Sequence, residues 1–152
     1  MKKHRVALVL GVAAALFAPA LALPAQQAFA EADPPITTYD SHDRFYSFTF
    51  PGTRYSDWAP KDNATSMYLR VDMHNGGPVF IDDYGASNNI GSGARKCTQG
   101  TPVVTYEGEF EVYNSVYESG LRWSQMRAYS NLNGTMRGYW SPDCVGHFHV
   151  LS

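Results

Sequence analysis

The sequence predicts an all-β fold: an antiparallel β-sandwich or small barrel of about six to seven strands, behind a cleaved signal peptide. Three observations carry this. Beyond residue 30 the apolar side chains recur at every second position, the period of a strand and not of a helix. All 10 tyrosines lie in that part, and aromatic residues suit a pleated, half-buried surface. Turn-forming clusters divide it into short segments, and Asn-Gly occurs twice, at 75–76 and 133–134.

The first 30 residues read as an address. "MKKHR" is basic, Val6 to Leu23 is apolar and uncharged, and Ala28-Phe29-Ala30 is a small-x-small cleavage site. Cleavage after Ala30 implies a secreted, extracellular protein with no stable membrane insertion. Lys2, Lys3 and Arg5 leave with the leader, so the 12 basic residues fall to 9 against 14 acids. That balance argues against a nucleic-acid partner, which asks for a basic stripe. It argues equally against a cationic membrane-active peptide. Residues 31–43 form a proline-containing, polar lead-in, and residues 44–152 make one β domain.

Each element then follows in order. "RFYSFTF" (44–50) alternates and stops at Pro51-Gly52. "SMYLRVDMH" (66–74) faces "PVFIDDYG" (78–85) across Asn75-Gly76-Gly77. A three-residue hairpin there pairs Val71 with Ile81 and Arg70 with Asp82, which sorts apolar from charged faces. Residues 86–100 read as a long polar loop. Asp82, Asp83, Asn88 and Asn89 lack the ordered oxygen spacing of a calcium loop.

"TYEGEFEV" (105–112) sets Tyr106, Phe110 and Val112 on one face and Glu107, Glu109 and Glu111 on the other. A return through "LRWSQMRAYSNL" pairs Val112 with Met126, Phe110 with Ala128 and Glu111 with Arg127. Asn133-Gly134 predicts a second tight hairpin, Leu132 against Thr135 and Ala128 against Tyr139. "GHFHVLS" is a short terminal strand that could close a sheet edge.

Candidate site residues are few. Cys97 and Cys144 are the only cysteines, and in an oxidising space a lone pair is expected to form a disulfide. The competing reading makes Cys144, His147 and His149 metal ligands, since His at i and i+2 share a strand face. Once Cys144 is bonded, the two histidines alone are too few for tight binding. The glutamate row at 107, 109 and 111 has like-sided spacing of about 6.6–6.8 Å, not far from the carboxyl separation of a retaining glycosidase. A solvated strand face explains the same row without catalysis. No cofactor motif is present. Two N-x-T sequons begin at Asn63 and Asn133.

The leader, the two Asn-Gly pairs and the late "MRGYWSPDC" (136–144) together resemble small exported β-proteins of Gram-positive bacteria with no assigned activity. The resemblance implies an exported sandwich-like domain and supplies no catalytic residues. The exported β-sandwich bacteriocins are similar in outline, although this chain is longer, acidic and contains a cysteine pair. The expected function is a non-enzymatic binding or interaction module for an unknown extracellular ligand or protein. Tyr84, Trp58 and Tyr117 are candidate contacts, since Tyr and Trp anchor recognition surfaces. The alternatives are a secreted carbohydrate-active hydrolase using the glutamate row, and a bacteriocin-like toxin or inhibitor.

Overall fold

The computed structural model describes residues 42–152. The predicted leader and residues 31–41 of the lead-in lie outside the described residues. Nine strands are present among the described residues: β1 (Arg44–Tyr55), β2 (Ala59–Pro60), β3 (Met67–Gly76), β4 (Val79–Ala86), β5 (Arg95–Lys96), β6 (Val103–Val104), β7 (Gly108–Val112), β8 (Trp123–Ser141) and β9 (His149–Leu151). No helix among them is long and apolar enough to cross a membrane. The strands hydrogen-bond into one sheet that curls into a half-barrel. That is one layer, where a sandwich needs two.

The spine is β8, 19 residues without a turn. β1 and β2 pair along one edge, from Arg44 opposite Trp140 to Pro60 opposite Trp123. The other edge is shared. β3 covers its C-terminal half, Tyr68 opposite Ser141, and β4 its N-terminal half, Phe80 opposite Tyr129. β3 and β4 therefore lie end to end, both antiparallel to β8. β7 flanks β3, and β6 and β5 flank β4. The terminal strand does close an edge, by pairing β9 with β7, but in parallel.

Both expected Asn-Gly hairpins are absent, and the pairings that depended on them fall with them. Arg70 does not meet Asp82, nor Ala128 Tyr139. Val112, Phe110 and Glu111 pair with Met67, Leu69 and Tyr68 of β3, not with β8. Met126, Arg127 and Ala128 pair instead with Asp83, Asp82 and Ile81. The physical reason is visible where the two motifs sit. Gly76 lies directly opposite Gly134 and Asn75 opposite Thr135, with Thr135 N–H donating to Asn75 Oδ1 at 2.8 Å. A Cβ on Gly76 would strike the Asn133 carbonyl, and one on Gly134 the Asn75 carbonyl. The glycines are spent on close backbone approach between two long strands. A hairpin at 133–134 would fold β8 in half and forfeit the continuous ladders on its two edges.

The curl follows from irregularities at neighbouring levels. The β1/β8 register shifts between Phe50 and Gly52, and the β3/β8 register between Val71 and Met73. Such bulges bend a strand and increase its twist. The concave side is filled by the sheet's own alternating residues, among them Tyr46, Phe48 and Phe50 from β1, Leu69 from β3, and Met136 and Trp140 from β8. Burying each large apolar side chain contributes roughly 1.5–3 kcal/mol.

The expected disulfide is not shown: the two cysteines are not bonded to each other, and both are buried. Each is held by a different part of the sheet. Cys97 N–H donates to the Asp83 carbonyl of β4, and its sulfur packs against the Gly85 backbone. Cys144 N–H donates to Thr65 Oγ1 beyond the far end of β8.

Candidate binding face and cavity

Alternation that sends apolar residues inward sends a different set outward. On β1, Phe45 points away from the core and stays 62% exposed. Its ring meets Tyr139 of β8 edge-on at 5.6 Å, and the Arg70 guanidinium lies 5.9 Å from the Tyr139 ring centre. Lower down β8, exposed Tyr55 meets half-buried Tyr84 at 6.5 Å, and Arg127 lies 5.5 Å from the Tyr84 ring centre and donates to its hydroxyl at 3.2 Å. Exposed Phe80 and half-buried Tyr129 form a third couple at 6.4 Å. Asp82 is enclosed between Arg127 and Lys96, which fixes the arginine in the plane of the face. The outer surface is thus a ladder of ring couples and planar guanidinium groups running along β8.

Of the predicted contacts, Tyr84 belongs to this ladder. Trp58 packs against Gly91 and Tyr117 stacks under Arg122 at 4.0 Å. Both lie off it. Phe45, Tyr55, Phe80 and Tyr129 were not singled out, although strand parity alone puts Phe45 opposite to Tyr46 and Phe48.

The glutamate row is only partly a wet face. Glu107 is exposed and accepts from His74 N–H at 3.2 Å. Glu109 is half-buried and accepts from the Tyr68 hydroxyl at 2.9 Å; burial and this carboxylate both hold the Tyr68 phenol well above its ordinary pKa. Glu111 is buried, because the chain after Cys144 folds over it and Phe148 N–H donates to it at 2.8 Å. Each carboxylate has a different partner, and the three do not converge on one point.

Glu111 instead lines a cavity of about 410 Å³ with Glu118, Asn114, Cys144 and His147. His147 Nδ1 is 4.0 Å from Glu111, while His149 turns to the Phe110 ring at 6.1 Å. The two histidines do not share one target, and no group of three metal-capable side chains occurs among the described residues. Burial, reinforced by the Glu111 charge, pushes the Cys144 thiol up to about 12, so it stays protonated and weakly nucleophilic at neutral pH.

A second polar cluster sits inside. The Lys61 side chain is wholly buried and donates to the carbonyls of Thr65 and Pro142 at 2.6 Å and to Asp143 Oδ1 at 3.0 Å. Asp143 also accepts the Asp62 N–H on Oδ2 at 2.9 Å and the Asn63 N–H on Oδ1 at 3.3 Å. Asp83, fully buried, accepts from the Ser124 hydroxyl on Oδ1, and its Oδ2 has no partner. Desolvation pushes its carboxyl up to about 7; the Ser124 bond and the Lys61 charge pull down, and Asp143 pushes up.

Among known families, the model described as a protein of unknown function (DUF2712) matches residues 29–144. The chain belongs to that family. No curated protein and no solved structure matches it. Within the DUF2712 match lie the whole aromatic ladder and the Lys61–Asp143–Asp83 cluster. The cover over Glu111, with His147 and Phe148, follows it in the chain.

Proposed function

We propose that this chain is an exported, non-enzymatic binding module that recognises an extended polysaccharide through the outer face of its sheet. The observation that supports the reading most directly is the ladder of three ring couples along β8, each with one exposed ring. Rings held against one another by a rigid sheet, two couples T-shaped and one tilted, offer large contact area at small entropic cost. They suit the C–H faces of successive sugars. The planar guanidinium groups of Arg70 and Arg127, held beside the Tyr139 and Tyr84 rings, extend that surface.

The test is co-sedimentation with insoluble polysaccharides, including purified bacterial cell wall. The exported protein is expected to bind at least one. The triple variant Phe45→Ala, Tyr55→Ala, Phe80→Ala should lose at least about tenfold in affinity with its circular dichroism unchanged, since hot-spot aromatics cost 2 kcal/mol or more on truncation. Equal binding by the triple variant, or none by the parent protein, refutes the reading.

One observation favours the hydrolase alternative: Glu111 shares its cavity with a second carboxylate, Glu118. Assaying the parent protein beside Glu111→Gln and Glu118→Gln on the same polysaccharides decides it. Cleavage that both substitutions abolish would replace the binding module with an enzyme.

A further inference from the structure

Lys61 and Asp143 stand 82 residues apart in the chain, one just after β2 and the other just after β8. Their side chains are 0% and 9% exposed, with Nζ 3.0 Å from Oδ1. We propose that this contact is a precursor: Lys61 Nζ condenses with the Asp143 carboxyl to form an intramolecular amide that ties the two ends of the sheet together.

The surroundings contain what such a condensation needs. The nucleophile is already in place, because the Thr65 and Pro142 carbonyls aim the amine at Asp143; the carboxyl carbon lies one C–O bond, about 1.2 Å, beyond the contacted oxygen. Holding two reactants in such contact removes most of the entropic cost of bringing them together. The Asp62 N–H points at Oδ2, where negative charge would develop as Nζ adds to the carbon. A third buried group, Asp83, lies close enough that Lys61 and Asp143 both act on its charge, and its Oδ2 is without a partner. With that oxygen unpartnered, Asp83 is assigned to hold a proton taken from the ammonium and return it to the departing oxygen.

The chemistry balances without an oxidant or co-reactant. The Nζ–Cγ bond forms and the Cγ–Oδ1 bond breaks. Of the three ammonium protons one remains on the amide nitrogen and two leave with Oδ1 as water, so Asp83 ends as it began. The driving force is electrostatic as well as entropic. A buried ion pair carries a desolvation penalty that its own attraction barely offsets, and a neutral amide abolishes both charges.

Intact-mass measurement on the purified protein tests this, with its N-terminus established by sequencing. The expected mass is one water below the sequence. Trypsin should then leave Lys61 uncut and release residues 55–70 joined to residues 138–152. Lys61→Arg should restore the full mass with an unchanged circular dichroism spectrum, and Asp83→Asn should slow or abolish the water loss. A wild-type mass equal to the sequence, or lighter only by the two hydrogens of a disulfide, overturns the proposal. So does a Lys61→Arg chain that is still one water light. Full water loss in Asp83→Asn removes Asp83 from the reaction.

Discussion

Asp83 occupies a position that strand alternation reserves for an apolar side chain. Val79 and Ile81 precede it on the same inward face of β4, and all three are buried. Its carboxyl titrates near 7 in the fold against 3.8 ordinarily. A folded-state pKa raised in this way means the native protein holds the proton more tightly than the unfolded chain does. The stability this group contributes is therefore complete below about pH 4 and is lost as pH rises through about 7. Replacing it by Asn removes that loss, so the unfolding free energy of Asp83→Asn should fall less steeply with pH between 4 and 7.5 than that of the parent. The difference should accumulate to as much as about 4 kcal/mol. Denaturant titrations at several pH values measure it. The slope decides, because the level also carries any effect of the Lys61–Asp143 link. Parallel pH profiles would mean that Asp83 is ionised at low cost.

At the scale of elements, the Asn-Gly motifs show how one residue type serves two geometries. In a hairpin, glycine supplies positive φ; here Gly76 does have φ 110°, but Gly134 faces it with no room for a methyl group on either chain. Gly138, also on β8, meets the Arg70 carbonyl in the same way at the β3 bulge. Gly134→Ala and Gly138→Ala should each destabilise the protein by about 2–3 kcal/mol, read as a lower denaturation midpoint. Gly120→Ala is a poor control because Gly120 has φ 77°; Ser119→Ala, in the exposed turn, should cost less than about 0.5 kcal/mol. If the chain turned at 133–134 after all, Gly138→Ala would be tolerated far better than Gly134→Ala.

At the scale of the sheet, nearly every ladder among the described residues joins segments distant in sequence. β1 pairs with β8, and β3 with β7 and β8. Loop-closure entropy must be met before such contacts contribute, so folding should take milliseconds to seconds, as non-local β topologies do. Stopped-flow refolding followed by tryptophan fluorescence, with Trp140 buried at the spine, reports it. The Lys61→Arg chain is the one to use, since any covalent link would shorten the search. Refolding complete within microseconds would contradict this topology.

The sequence by itself determined the β class, the inward and outward faces of the longer strands apart from Glu111, and the terminal edge strand, because side-chain parity is a local property of an extended backbone. Tertiary structure alone decided which strands are neighbours, that Asn-Gly marks a close approach and not a turn, that Glu111 lies under the chain beyond Cys144, and that Lys61 from a turn-rich stretch is wholly buried against Asp143. Those outcomes depend on backbone hydrogen bonds and desolvation between segments dozens of residues apart, and neither quantity is written in any short window of the chain.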